Sequence, residues 1–580
     1  MSFRVEKDVM VPMRDGTTLA TDLWIPDGGP APALLVRLPY GKDMLPGTFA
    51  YALHPSIFAL LEAGYAVVWQ DCRGTFRSDG EFTPLADDPH DGADTIAWLG
   101  GQPWCDGNIG SYGASYLGLV QWATASQAPA GLKAIVPTVT TTDYYLTPWY
   151  SAGGALSWHT TWGWSTRMSL AGAQKALAAG GGDPTALMEL AGMLADPEPH
   201  LARLPVSDQP LLIKQSPWWA DWLRHPDRDH FWQDLAVAER LDRVSVPALN
   251  VGGWFDLFIG STTSTFTRMR AGAGSAGARE GQRLIIGPWD HLNQEGIYHD
   301  RQFGLAANAI AADVTGAHIR FFDRWLRGRT DALDGTAPVR IFVMGIDQWR
   351  DEQDWPLPDT QYTDYFLDGA GQAHTADGDG RLGTEPPAAE ATDTYAYDPA
   401  RPVPSLGGRI MLPSAVNGAG PADQRPAEAR SDVLCFTTPV LEEPVEVTGH
   451  VSLVLHVASS ARDTDFTGKL VDVFPDGRAI YLTDGILRAR YRDSLAEPEL
   501  LEPGEVYEIT LDLSVTSNVF LPGHRIRLEV SSSNFPRYDR NTNTGGVIAE
   551  DTASQAVVAT NQVLHGPAHP SRLILPVIRR

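Results

Sequence analysis

Apolar residues in the first 142 positions form short runs that alternate with helical stretches. Strand-like runs occupy residues 33–36, 66–69 and 132–136. A helical pattern at residues 56–63 separates the first two of these runs. Strands that alternate with helices in this way are typical of a mostly parallel sheet covered by helices. We therefore predict that residues 1–142 form the first part of an α/β core.

The pattern changes between residues 143 and 239, where helical periodicity continues without clear strands. Tryptophan is dense there, since eight of the chain's 18 tryptophans fall in this stretch. Strand-like runs return at residues 244–251 and 283–286. The simplest interpretation is a helical cap, residues 143–239, inserted into the α/β core, which resumes over residues 240–354.

From residue 355 onward the pattern is that of an all-β domain. Apolar side chains alternate with other residues at 451–457 and again at 526–530. Many short strands of this kind indicate a β-sandwich or jelly roll, and we assign residues 355–580 to it. Residues 368–404 are rich in Pro, Gly and Asp, which predicts a long, loosely structured loop.

Composition and charge narrow the range of partners. The 580 residues include 45 Lys and Arg against 71 Asp and Glu, which gives a formal net charge of −26. Such a chain repels phosphate backbones and acidic lipid headgroups, so we expect no nucleic-acid partner and no membrane association. No run approaches the roughly 20 apolar residues of a membrane helix. Three scattered cysteines, Cys72, Cys105 and Cys435, fit reduced thiols, which favours a cytoplasmic protein.

One segment has the pattern of a serine nucleophile. The run GASYLG at residues 113–118 follows a predicted strand and opens a predicted helix. A serine on such a tight turn, here Ser115, projects its hydroxyl above the sheet, and small neighbours let the strand and the helix approach each other. The usual Gly-x-Ser-x-Gly spacing is not strictly met, because the second glycine comes one residue late. The strand–turn–helix context nevertheless predicts a nucleophile elbow.

Two later segments supply candidates for the base and the acid that a serine nucleophile needs. Asp256 ends the segment GGWFD after the strand at 244–251, and His291 ends GPWDH after the strand at 283–286. Asp256 alone could be a helix N-cap, and His291 alone could be a surface imidazole. The order nucleophile, acid, base is the one this type of fold uses, with the last two on loops after later strands. The joint placement therefore predicts a triad of Ser115, Asp256 and His291.

Four acidic residues lie around the start of a helix predicted near residues 95–99, namely Asp87, Asp88, Asp91 and Asp94. They could suggest a metal-binding loop. Acids at a helix N-terminus are the commoner arrangement, because they interact favourably with the helix dipole. We assign these residues no catalytic role, and the predicted triad chemistry requires no metal or cofactor.

Together these segments resemble the cocaine esterase family of serine hydrolases. Its relatives include X-Pro dipeptidyl peptidases, α-amino acid ester hydrolases and some acylases. The resemblance implies an α/β-hydrolase core with an inserted helical cap and a C-terminal all-β jelly-roll domain. It covers essentially the whole chain and rests on RLPY at 37–40, WCDGN at 104–108, the elbow at 113–118, GGWFD at 252–256, GPWDH at 287–291 and SSSNFP at 531–536.

The resemblance also implies which residues bind the substrate. The hydroxyl of Tyr40 and the main-chain N–H of Tyr116 would form an oxyanion hole, where one preorganised donor contributes about 3–4 kcal/mol. The resemblance implies Leu and then Phe at the positions where this chain has Met411 and Leu412. The pocket here would therefore be wider and more flexible, and its preference for benzoyl esters stays open. The implied walls of the acyl pocket are Trp149, Trp164, Phe258, Met411 and Leu412.

The leading hypothesis is a serine carboxylesterase for small-molecule esters whose acyl group is apolar and could be aromatic. The alternative is an α-amino acid ester hydrolase or an X-Pro dipeptidyl peptidase, which needs acidic residues to hold a substrate ammonium group. Asp290 and Glu295 lie near the predicted base, but they could equally be surface charges. A third hypothesis is a non-catalytic binding protein. By analogy with relatives that self-associate, the chain could form a homodimer.

Overall fold

The computed structural model describes residues 2–43, 54–411 and 418–580. Within these ranges the chain forms a ten-stranded sheet followed by an eleven-stranded sheet. The first is a mixed α/β unit and the second belongs to an all-β unit, so the predicted fold class is confirmed. The numerical domain boundaries given above stay a prediction.

The N-terminal sheet carries its parallel strands in the centre. Its strands are β1 Phe3–Pro12, β2 Thr18–Pro26, β3 Ala31–Leu38, β4 Ala66–Asp71, β5 Cys105–Ala114, β6 Leu132–Thr138, β7 Leu249–Gly253, β8 Arg283–Gly287, β9 Val339–Val343 and β10 Gln348–Glu352. Their order across the sheet is β1-β2-β4-β3-β5-β6-β7-β8-β9-β10. Strands β3 to β9 pair in parallel, and β1, β2 and β10 pair antiparallel at the two edges. The carboxyl ends of the parallel strands therefore share one edge, where α/β proteins place their ligands.

The helices fall into a core set, a cap set and one short helix in the C-terminal unit. In chain order the described α-helices are α1 Ile57–Glu62, α2 Asp88–Gly100, α3 Tyr116–Ala125, α4 Trp158–Ala178, α5 Pro184–Ala195, α6 Glu198–Leu201, α7 Pro210–Gln215, α8 Pro217–Arg224, α9 His230–Leu235, α10 Ile259–Gly272, α11 Ala276–Glu280, α12 Val314–Leu326 and α13 Arg425–Glu428. None of these helices combines the length and the apolar character that crossing a membrane requires.

Helices α4 to α9 form the cap between β6 and β7. Residues 139–247 are all described, and they contain no strand. Buried tryptophans hold these helices together: the rings of Trp149 and Trp222 stack at 4.2 Å, and Trp222 lies 6.4 Å from Trp232. Such aromatic pairs stabilise packing beyond the area that they bury. The dense tryptophans of the sequence thus build the interior of the cap.

The C-terminal sheet is almost entirely antiparallel. Its strands are β11 Thr360–Asp368, β12 Arg381–Gly383, β13 Ala391–Tyr397, β14 Leu434–Thr437, β15 Val445–Ser459, β16 Asp465–Val473, β17 Ala479–Arg488, β18 Tyr507–Phe520, β19 Arg525–Ser531, β20 Ala559–His565 and β21 Arg572–Ile578. The main path runs β13-β20-β15-β21-β11-β12-β14-β19-β16-β17, and β18 pairs with β15. Among the strand pairs described in this C-terminal sheet, only β12–β14 is parallel.

The loop predicted over residues 368–404 is wrong in part, because β12 and β13 lie inside it. Strand β13 pairs along its whole length with β20, which is more than 160 residues away in the chain. Its Tyr395 and Tyr397 point inward and are 3% and 1% exposed. The local composition resembles a loop, but a distant partner supplies the hydrogen bonds and the buried surface that make it a strand.

A cavity of about 440 Å³ lies where the cap, α10 and the C-terminal unit meet. Its lining includes Ser261, Arg409, Asp484 and Arg537. The two arginines both pair with Asp484. Ser115, Asp256 and His291 are not among the residues that line it. The cavity nevertheless borders the predicted site, because Leu257, between Asp256 and Phe258, also lines it.

Candidate active site

Ser115 lies at the sharp turn between β5 and α3. Its backbone has φ 60° and ψ −126°, in a region that residues other than glycine rarely adopt. A Cβ on Gly113 would lie 2.6 Å from Cβ of Leu117, and one on Gly118 would lie 2.6 Å from Cγ2 of Thr140. Side chains at these two positions would push the helix away from the sheet. The two glycines of the motif therefore permit the close packing on which the turn depends.

Three side chains from different strand ends meet at the carboxyl edge of the sheet. Nε2 of His291 lies 3.0 Å from Oγ of Ser115, and Nδ1 of His291 lies 2.7 Å from Oδ2 of Asp256. Ser115, Asp256 and His291 are 8%, 0% and 2% exposed. The other carboxylate oxygen of Asp256 accepts the main-chain N–H of Phe258 at 2.8 Å. With Nδ1–H donating to Asp256, Nε2 is free to accept the serine proton.

The hydroxyl of Tyr40 lies beside Ser115, just after β3. It accepts a hydrogen bond from Nε1–H of Trp164 at 3.0 Å, and Ser115 lies within hydrogen-bonding reach of it. Burial raises the pKa of Tyr40 to about 12, although the hydrogen bond from Trp164 acts in the opposite direction. The hydroxyl therefore stays protonated near neutral pH and can donate a hydrogen bond to a substrate oxygen.

Tyr116 is the first residue of α3, where main-chain N–H groups lack a partner within the helix. Its hydroxyl donates to Oδ2 of Asp88 at 2.7 Å and accepts the N–H of Leu85 at 2.9 Å. Asp88 in turn pairs with Arg37 at 3.2 Å. This buried arrangement holds the side chain of Tyr116, the residue after Ser115, in place.

The sequence prediction missed the role of Asp88 as a partner of Tyr116. Asp88 and Asp91 do lie in the first turn of α2, where the sequence predicted them. They are also buried, at 5% and 1% exposed, and face Arg37. The sequence does contain a signal for the contact between Arg37 and these acids: Arg37 is a charged residue inside the otherwise apolar strand β3. A buried arginine needs acidic partners.

Four of the five predicted acyl-pocket residues lie in described parts of the chain, and all four are buried. The ring of Phe258 lies 5.6 Å from that of His291, and Trp149 lies 5.0 Å from Trp164. Met411 belongs to the same buried cluster as both tryptophans. Leu412 lies outside the described residues. The structure thus gathers apolar side chains around the hydrogen-bonded groups.

The two acids near His291 have different environments. Asp290 is 4% exposed, and its Oδ1 accepts the N–H groups of Leu292 and Asn293, each at 2.7 Å. Burial raises the pKa of Asp290 to about 6. Glu295 is exposed. Asp290 therefore shapes the turn that carries His291 and is committed to that turn.

Comparisons with known proteins agree with this arrangement. Residues 15–293 match a family model described as X-Pro dipeptidyl-peptidase (S15 family), and residues 331–574 match its C-terminal non-catalytic domain. The chain is 50% identical to the cocaine esterase of Rhodococcus sp. (strain MB1 Bresler), with 100% of this chain and 99% of the relative covered.

Solved structures match over almost the whole chain. An aminopeptidase from a marine sediment archaeon (Thaumarchaeota archaeon) is 27% identical with a TM-score of 0.82, covering 100% of this chain and 97% of that one. An α-amino acid ester hydrolase is 25% identical with a TM-score of 0.80, covering 99% and 96%. The resemblance predicted from the sequence motifs is therefore confirmed, and the chain belongs to the cocaine esterase family of serine hydrolases.

Proposed function

We propose that this protein is a carboxylesterase that hydrolyses small-molecule esters with an apolar acyl group, through an acyl-enzyme on Ser115. The observation that carries the proposal is the continuous hydrogen-bond chain from Ser115 through His291 to Asp256, at 3.0 and 2.7 Å. Relatives named cocaine esterase and α-amino acid ester hydrolase support an ester as the bond that is cleaved.

In the first half-reaction Oγ of Ser115 attacks the ester carbonyl carbon while Nε2 of His291 takes the serine proton. Asp256 holds Nδ1–H and stabilises the imidazolium that forms. The carbonyl oxygen becomes an oxyanion, which the Tyr40 hydroxyl and the main-chain N–H of Tyr116 stabilise by donating hydrogen bonds. The imidazolium then protonates the departing alkoxide, and the alcohol leaves.

In the second half-reaction water hydrolyses the acyl-enzyme. His291 takes a proton from the water molecule as it attacks the acyl carbon, and the same two donors hold the second oxyanion. The proton on His291 then returns to Oγ of Ser115 as the carboxylic acid leaves. The triad and the oxyanion donors suffice for both steps, so no further group is required in the proposed cycle.

The walls of the proposed acyl pocket favour apolar acyl groups. Trp149, Trp164, Phe258 and Met411 present aromatic carbon and a thioether to it, and we add Leu412 from the family pattern. A polar acyl group would lose its hydrogen bonds to water here without replacing them. The flexible Met411 side chain adapts to acyl groups of different shape.

The second candidate function is cleavage of substrates with a free amino group, as in α-amino acid ester hydrolases and X-Pro dipeptidyl peptidases. The family models that match this chain favour it. An ammonium group needs an available acid, whereas Asp290 already accepts two main-chain hydrogen bonds. A panel of p-nitrophenyl acetate, butyrate and benzoate, an alanine methyl ester and an Ala-Pro p-nitroanilide separates the two. We expect the simple acyl esters to give the highest kcat/KM, and a preference for the amino substrates would favour the second candidate.

The proposed mechanism is tested by Ser115→Ala together with active-site labelling. We expect a fluorophosphonate to modify the wild-type protein once, at Ser115, and the variant to lose about 10³-fold or more of its kcat with an unchanged Tm. Ser264→Ala, on the exposed face of α10, is the matched control and should be labelled and active as the wild type is. Undiminished ester hydrolysis by Ser115→Ala would rule out the mechanism.

We further propose that the protein works in the cytoplasm and forms a homodimer. The three cysteines are buried and unpaired, which fits a reducing compartment. The dimer rests on analogy with relatives alone. Sedimentation velocity at micromolar concentration tests it, and a single monomeric species would contradict it.

A further inference from the structure

The Tyr40 hydroxyl lies between an indole and the nucleophile. Nε1 of Trp164 lies 3.0 Å from the Tyr40 oxygen, and Ser115 lies within hydrogen-bonding reach of the same hydroxyl. An indole N–H can only donate, so Tyr40 must accept from Trp164. A tyrosine hydroxyl carries one proton, and that proton must then point away from the indole.

The indole that makes this contact is itself held from several sides. Trp164 is 6% exposed, and its ring is stacked on that of Tyr116 at 5.9 Å with an interplanar angle of 12°. Trp149 packs against it at 5.0 Å. Tyr116 is fixed in turn by its hydroxyl bond to Asp88 at 2.7 Å. The indole N–H therefore keeps its direction toward Tyr40.

We propose that Trp164 is a positioning residue for ester hydrolysis in addition to being a wall of the acyl pocket: its indole N–H orients the Tyr40 hydroxyl so that the O–H points at the substrate's carbonyl oxygen. This inference rests on the proposed function, because it concerns the same oxyanion hole. Without the indole, the hydroxyl can rotate about its C–O bond and turn its proton away. Accepting a hydrogen bond from Trp164 also polarises the Tyr40 hydroxyl and makes it a stronger donor.

The effect falls on kcat and not on KM, because the oxyanion exists only in the transition state and the tetrahedral intermediate. A wall of the acyl pocket, in contrast, contacts the acyl group before and during the reaction. Losing a wall therefore changes KM as well. The two roles of Trp164 are thus separable by kinetics and by their dependence on Tyr40.

A double-mutant cycle of Trp164→Phe and Tyr40→Phe tests the proposal with p-nitrophenyl acetate, whose small acyl group makes few wall contacts. We expect Trp164→Phe to lower kcat about 5- to 10-fold in the wild-type background while KM changes less than about twofold. In the Tyr40→Phe background the same substitution should change kcat by less than about twofold, because no hydroxyl is left to orient. An equal loss of kcat in both backgrounds would overturn the proposal.

Trp149→Phe is the matched control for the loss of aromatic wall. It removes the same kind of ring from the same pocket, and it packs on Trp164. Its effect should be the same factor with and without the Tyr40 hydroxyl. If Trp149→Phe coupled to Tyr40→Phe as strongly as Trp164→Phe does, general repacking and not the indole N–H would link these residues. That result would also overturn the proposal.

A second measurement guards against repacking around the smaller phenylalanine ring. Trp164→3-benzothienylalanine keeps the bicyclic shape and replaces the N–H with sulfur, and it should show the same Tyr40-dependent loss. A trifluoromethyl ketone, which forms an oxyanion on Ser115, should bind this variant about 5- to 10-fold more weakly only when Tyr40 is present. Unchanged kcat and unchanged inhibitor affinity would refute the orienting role.

The failure of this inference is distinguishable from failure of the proposed function. If the wild type hydrolyses no ester, or if Ser115→Ala keeps the activity, the proposed function is wrong and the inference falls with it. If Ser115 is labelled and essential while the Trp164 and Tyr40 substitutions act independently, the esterase stands and only the positioning role is wrong.

Discussion

Replacing Asp256 with Asn is expected to remove most of the turnover without unfolding the protein. Asp256 is fully buried, and its Oδ2 lies 2.7 Å from Nδ1 of His291. At an effective dielectric constant of about 20, unit charges about 4 Å apart attract by about 4 kcal/mol, which corresponds to about 10³-fold in rate. The amide also disfavours the tautomer in which Nε2 of His291 accepts from Ser115. We therefore expect kcat to fall about 10³- to 10⁴-fold.

The assay is kcat for p-nitrophenyl butyrate at saturation, with circular dichroism and Tm as checks on the fold. Asp290→Asn is the matched control, because it makes the same change next to His291 and its amide oxygen can still accept the N–H groups of Leu292 and Asn293. The control should stay within about threefold of the wild type. If Asp256→Asn retained more than about a tenth of the wild-type kcat, the reasoning that this buried carboxylate supports the imidazolium would be refuted.

Further predictions concern the oxyanion donor, the elbow and acid stability. Tyr40→Phe should lower kcat for the same esters about 10²-fold. A loss of kcat below about threefold would show that the Tyr40 hydroxyl does not stabilise the oxyanion and that the side chain only packs. Gly118→Ala should lower the free energy of unfolding in urea by about 1–3 kcal/mol, because its methyl group would lie 2.6 Å from Thr140. Gly172→Ala on α4 has nothing within 4 Å of the added methyl group and should raise the free energy of unfolding by up to about 1 kcal/mol. Equal free energies of unfolding for the two variants would contradict the packing argument. Burial lowers the pKa of His318 from 6.5 to about 4, so the unfolded chain binds this proton at a higher pH than the folded protein and stability is lost as pH falls from 6.5 to about 4. The His318→Gln variant should lose less stability than the wild type over this pH range. Identical profiles of stability against pH for the two proteins would contradict this prediction.

Local patterns predicted several elements closely and failed where the partner is distant. The helix predicted at residues 56–63 is α1, Ile57–Glu62, and Ser56 caps it by accepting the N–H of Ala59. A cap and an apolar face are local signals, so the sequence carries them. Strand β13, in contrast, was predicted as loop, because its pairing with β20 lies outside any local window. The catalytic roles of the triad residues stay a prediction, although their side chains do meet.

The sequence by itself determined the alternation of strands and helices, the tight turn at Ser115, and the chain order of an alcohol, a carboxylate and an imidazole at successive strand ends. These features depend on local burial and on turn chemistry, which neighbouring residues encode. Only the tertiary structure decided that His291 comes within 3.0 Å of Ser115 across 176 residues, and that the Trp164 indole meets the Tyr40 hydroxyl. A hydrogen bond forms only when its atoms are placed to within a few tenths of an ångström, and that placement comes from the packing of the whole sheet and cap.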